Sequence, residues 1–105
     1  MSSVLEVDDS SFESEVKQSK SPVLVEFGAT WCGPCKRQLP ILETFADKHQ
    51  NVKVVKVDID NSPVATKEHS VRAVPTIILI VDGSTRATKT GLTDLAKLES
   101  MLTQD

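Results

Sequence analysis

Trp31-Cys32-Gly33-Pro34-Cys35-Lys36 holds the only two cysteines of this 105-residue chain. It follows Val23-Leu24-Val25-Glu26-Phe27, a run whose near-continuous hydrophobicity predicts a strand covered on both faces. It leads into Cys35 to His49, where apolar residues recur at helical spacing. Both thiols therefore fall at a strand-to-helix junction. The first N–H groups of a helix lack partners inside it, and the macrodipole favours an anion beside them. With Gly33 and Pro34 in the first turn, Cys32 is expected at or next to the N-cap, its thiolate stabilised against the thiol. Pro34 costs nothing there, because its missing N–H would have been an orphan. Gly33, without a side chain, leaves Cys32 open to a partner chain. Cys35, one turn further in, is expected to be the less exposed. The spacing yields one attacking and one resolving thiol within disulfide reach.

Length and composition narrow the function. A chain of this size with 39% hydrophobic residues fits one domain able to bury a modest core. A net charge of −3 argues against nucleic acid or an anionic membrane as the main partner. The longest apolar stretch, Ile77 to Val81, is too short to span a bilayer, and Met1 to Ser10 carries Glu6, Asp8 and Asp9 in place of a basic start. The expectation is a cytoplasmic protein, in a compartment where a lone CxxC is catalytic or metal-binding more often than structural. Zinc would need two further ligands, and His49 and His69 lack finger spacing. Haem attachment fails because Lys36 stands where CxxCH needs histidine. A structural staple is a weak use of so small a loop. With four glycines and no GxGxxG, the chain shows no flavin or nicotinamide fingerprint, so its electrons are expected from another protein.

Outward from the motif, Val4 to Val7 is a short first strand. Asp8 then caps a helix, with Val7 and Phe12 as a hydrophobic staple. The next strand after the motif helix, Val52 to Ile59, carries Lys56 as its misfit, just as Glu26 is the misfit of Val23 to Phe27. An acid and a base out of place in neighbouring buried strands suggest a pair that offsets the desolvation of both; alternatively, each strand end reaches water and the two never meet. In the motif helix Leu39, Leu42, Phe45 and Ala46 share a side, and Pro40 is expected to kink it. Asp60-Asn61-Ser62-Pro63 predicts a turn and a weak helix capped by Ser62, in which His69 is a packing residue. Val74-Pro75-Thr76 opens the longest β-branched run, and Asp82-Gly83 turns it into a hairpin with Arg86 to Thr90. Thr93 is the expected cap of a last helix bearing Leu95, Leu98 and Leu102. This order implies an α/β fold, a mixed sheet of about five strands with about four helices on its two faces.

WCGPCK, Pro40 inside the following helix, Val74-Pro75-Thr76 far downstream and the late Gly91 together resemble the thioredoxin family, over essentially the whole of residues 1–105. The resemblance implies a thioredoxin fold and a protein-disulfide reductase working through Cys32 as nucleophile and Cys35 as resolving thiol. It implies no cofactor beyond that dithiol, protein disulfides as substrates, a thioredoxin reductase as electron source, and a monomer. It also implies a cis Pro75 facing the cysteines, with Trp31, Gly33, Pro34, Val74, Pro75 and Gly91 framing an apolar substrate patch. A buried acid before the motif usually serves as proton acceptor in this family. Glu26 matches its position with one methylene more, and Lys56 is its expected partner. Gly28 departs from the pattern, since the family places a large aromatic there; its loss either loosens the packing beneath the motif or opens a pocket. Arg37 and Gln38 are more polar than usual after the motif, and Lys36, Arg37 and Arg72 form either a basic rim or a solvated face. A disulfide oxidase or isomerase, or a docking module without enzymatic action, are the alternatives.

Overall fold

Hydrophobic runs with no polar alternation become the centre of a five-stranded sheet in the computed structural model, which describes residues 3–103. Residues 1, 2, 104 and 105 of the expected domain lie outside the described residues. The strands are β1 (Val4–Val7), β2 (Val23–Gly28), β3 (Lys53–Asp58), β4 (Thr76–Val81) and β5 (Ser84–Thr90). The helices are α1 (Asp9–Phe12), α2 (Gly33–Lys48), α3 (Pro63–Glu68) and α4 (Leu95–Met101). Strand order is β1-β3-β2-β4-β5; β1, β3 and β2 run parallel, while β4 and β5 are antiparallel to their neighbours. This is the thioredoxin fold.

Alternation along β2 divides the core. Val23, Val25 and Phe27 join Phe12, Val16 and Ala65 on one face of the sheet. Leu24 joins Leu42, Phe45, Leu98 and Met101 on the other. Since side chains point to opposite faces in turn, Glu26 and Gly28 share the face of Leu24, beneath α2. The site is thus hung from a strand held on both sides.

The local signals mostly hold. Asp8 forms a capping box with Ser11, and Val7 and Phe12 are buried together as the expected staple. Beyond Phe12 the helix widens to a π-helical turn, Glu13–Lys17, closed by the Gln18 N–H on the Glu13 carbonyl at 3.0 Å. Asp82 and Gly83 have φ of 51° and 78°, the left-handed pair that a two-residue hairpin demands. α2 runs continuously through Pro40.

Two caps differ from expectation. Ser62 occupies the N-cap of α3 but makes no capping bond; the Asp9 carboxylate, from α1, accepts from the Val64 and Ala65 N–H groups at 3.0 and 2.9 Å. Asp94, not Thr93, caps α4, accepting from the Lys97 N–H at 2.9 Å. Thr93 instead turns inward, where its backbone N–H and carbonyl are both bonded by the Gln38 side chain at 2.8 Å. Gln38 is therefore a fully buried clamp between α2 and the approach to α4, not part of a polar surface. Leu39, expected in the core, lies only partly buried.

Candidate active site

Sheet register gathers the distant parts of the site at one end of the molecule. β2 delivers the chain into Ala29 to Cys32 from its C-terminal end. Phe27 pairs with Thr76, and Thr76 with Thr90, so Pro75 and Gly91 lie beside that same end. The Val74–Pro75 bond is cis, and the Pro75 carbonyl accepts from the Gly91 N–H at 2.8 Å. Gly91 has φ of 90°, a conformation suited to glycine. Val74 is partly buried and Pro75 buried, while Gly33 is exposed and Pro34 half-buried.

Cys32 and Cys35 form a disulfide, with Cα atoms 5.3 Å apart. Cys32 is the N-cap residue of α2, in extended conformation, and its sulfur accepts from the Cys35 N–H at 3.2 Å. A sulfur thus takes the place that a serine or aspartate oxygen fills at an ordinary N-cap. Any negative charge that develops on it meets unpartnered N–H groups and the positive end of a 16-residue helix.

The order of exposure is the reverse of the one expected. Cys32 is 5% exposed, whereas Cys35 is half-buried. The reason lies in Gly28. A Cβ at that residue would stand 3.1 Å from Cys35 Sγ and 3.1 Å from Glu26 Oε2, so no side chain covers the sulfur from the sheet side. A cavity of about 250 Å³ takes that space, lined by Glu26, Gly28, Cys35, Leu39 and Lys56 among others. Of the two outcomes for Gly28, the structure shows the pocket.

Glu26 is 5% exposed, and burial pushes its carboxyl up to about 7 while the Lys56 charge pulls the other way. The strands place the two side by side, Glu26 opposite Lys56 in the parallel register. Yet the expected compensating pair does not close. They form no ion pair among the described residues, and Glu26 Oε2 has no hydrogen-bond partner. Lys56 is only partly buried, and on its other side it lies opposite Glu6 of β1 in the parallel register. A carboxyl that half-ionises near neutrality, beside a disulfide sulfur, is equipped to take up or release a proton.

Trp31 stands at the mouth of the site, 66% exposed, its Nε1–H donating to Asp60 at 2.9 Å. Leu92, next to Gly91, is also exposed. Lys36, Arg37 and Arg72 are exposed. The histidines are occupied elsewhere, His49 with Glu99 at 2.7 Å and His69 packed on Phe12 and Phe27. Reading the sequence missed Asp60, Asp9 and the clamp role of Gln38. Only Gln38 left a signal, as a polar residue among apolar ones one turn after Cys35.

A cysteine pair spanning the first turn of a helix, on a sheet of this topology, defines a thiol–disulfide oxidoreductase whose redox group is the pair itself. A family model described as Thioredoxin matches residues 3–104. The chain is 43% identical over 100 residues to a thioredoxin of Acidithiobacillus ferridurans, covering 94% of this chain and 93% of that protein. It is 38% identical over 105 residues to a thioredoxin of Haemophilus influenzae, covering 99% and 98%. Against a thioredoxin of Rickettsia prowazekii it is 46% identical over 87 residues, covering 82% and 83%. The chain belongs to the thioredoxin family and is a protein-disulfide reductase. Among the described residues, no helix is long and apolar enough to cross a membrane.

Proposed function

We propose that the chain reduces disulfides of client proteins with Cys32 as nucleophile and Cys35 as resolving thiol, and is recharged by a thioredoxin reductase. The observation that carries this division of labour is the Cys32 sulfur at the N-cap of α2, accepting the Cys35 N–H at 3.2 Å. That environment favours the thiolate, which is the attacking species in exchange. Cys32 forms the mixed disulfide with the client; Cys35 then attacks the Cys32 sulfur, releases the client thiolate and closes the pair. Cys35 must lose a proton to do so, and Glu26 supports that step across the space left by Gly28, where a Cβ would stand 3.1 Å from Cys35 Sγ and 3.1 Å from Glu26 Oε2. Lys56, its register neighbour, tunes that acid without pairing with it.

Trp31, Gly33, Pro34, Val74, Pro75 and Gly91 frame the client surface, an apolar rim on which an extended backbone segment docks. The working unit is a monomer, residues 1–105 acting as one domain, with no nucleic acid or membrane partner. A dithiol carrier fits the reducing conditions of the cytoplasm.

Insulin reduction driven by a thioredoxin reductase tests the activity, and single cysteine variants test the roles. Cys32→Ser abolishes attack, while Cys35→Ser accumulates a client joined through Cys32. Equal trapping by the two variants refutes the assignment.

A further inference from the structure

The cavity behind the disulfide is not used by a client docking at the Trp31 rim. It opens on the other sulfur. Three observations converge there. Gly28 leaves the sheet side of Cys35 Sγ uncovered, since a single methyl at residue 28 would already press on that sulfur at 3.1 Å. Glu26 Oε2, 95% buried with its residue and without a partner, borders the same point at 3.1 Å. Lys36 and Lys56 line the cavity together with Glu6 and Asp58, so cations and carboxylates face one small space. At about 250 Å³ it falls below the ~300–1,000 Å³ of sites for drug-sized ligands, which suits a molecule of amino-acid size.

We propose that this cavity admits a small thiol bearing both an ammonium and a carboxylate, of the size of cysteine, which exchanges directly with Cys35. The carboxylate is met by Lys36 and Lys56, and the ammonium by Glu6 and Asp58. The thiol gives its proton to Glu26 Oε2, and its sulfur forms a bond to Cys35 Sγ. The Cys32–Cys35 bond breaks, and its electron pair leaves on Cys32 as a thiolate held at the helix N-terminus. A more acidic thiol is the better leaving group, so the same N-cap that makes Cys32 an attacker makes Cys35 the sulfur to be attacked. A second thiol molecule gives its proton to the Cys32 thiolate and attacks the bound one, forming the small symmetric disulfide and freeing Cys35, which recovers the first proton from Glu26. Two thiols are oxidised to one disulfide and the protein disulfide is reduced to the dithiol. Run backward, the dithiol reduces cystine through Cys35.

The inference rests on the redox role of the pair, and the insulin assay keeps the two apart: wild type that reduces insulin but shows no chemistry at Cys35 loses only the inference. In full-length Cys32→Ser, cystine is expected to place cysteine on Cys35, located by peptide mass spectrometry. Adding Gly28→Leu fills the cavity and slows that reaction by about tenfold or more, as loss of a positioned approach does. Gly28→Ala, which adds one methyl, gives a smaller slowing in the same direction and decides the matter if the leucine variant fails to fold. Hydroxyethyl disulfide, uncharged and of similar size, reacts several-fold more slowly than cystine. Oxidised wild type quenched with acid during cysteine treatment carries its adduct on Cys35. A Cys35 that stays unmodified, an adduct confined to Cys32, rates unmoved by both Gly28 variants, or equal rates for the charged and uncharged disulfides each overturn the proposal.

Discussion

Replacing Glu26 by glutamine in the disulfide form should remove a pH-dependent loss of stability. The carboxyl is 5% exposed, has one oxygen without a hydrogen bond, and titrates at about 7 against an ordinary 4.5, mainly through burial. Below 4.5 both folded and unfolded chains hold the proton, and the group contributes nothing. Between 4.5 and about 7 the unfolded chain has released it while the folded chain keeps it, so stability falls as pH rises. Above about 7 the loss is complete; at about 1.4 kcal/mol per pH unit, the gap amounts to about 3 kcal/mol. Glutamine pays its own desolvation cost, but that cost does not vary with pH. Urea unfolding of wild type and Glu26→Gln from about pH 4 to about pH 8 isolates the term, since other groups titrate alike in both. The stability difference should swing toward the variant by about 3 kcal/mol, with its midpoint between the two pKa values. A difference that stays flat within about 0.5 kcal/mol across that range would refute the assignment of a buried, proton-holding Glu26.

Asp9→Ala removes the acceptor of the Val64 and Ala65 N–H groups and should cost about 1 kcal/mol in chemical denaturation, with early loss of amide protection in α3. Gln38→Ala leaves the Thr93 N–H and carbonyl buried without partners and should cost about 1–3 kcal/mol, more than its exposed neighbour Arg37→Ala in the same unfolding assay. Gly83→Val, at φ of 78°, forces a β-branched residue into left-handed backbone and should lower stability by about 1–2 kcal/mol while leaving insulin reduction near wild type.

How much of this molecule its residues disclose depends on the range of the forces involved. β2 and β4 declare themselves because a strand buried on both faces needs a continuous apolar run, and the Asp8 cap and the Asp82-Gly83 turn are settled within four residues. The disulfide pair is legible for the same reason, since its spacing and its helix are contiguous. Asp9 capping α3 is not, because its partners are about fifty residues away and a polar residue there reads as helix surface; Gln38 stands out as polar among apolar residues, but its partner Thr93 is as distant. The misfits Glu26 and Lys56 were visible as neighbours; whether they touch depends on Glu6 across the next strand and on the space left by Gly28. The partial exposure of Cys35 follows from that same missing side chain, whose effect is exerted on a residue seven positions on.

The chain has one tryptophan and no tyrosine, and that indole projects from the mouth of the site with its N–H on Asp60. Intrinsic emission excited in the indole band therefore carries almost no signal from the interior. It reads the rim alone, and a client or reductase settling there should quench or shift it while the core stays spectroscopically silent.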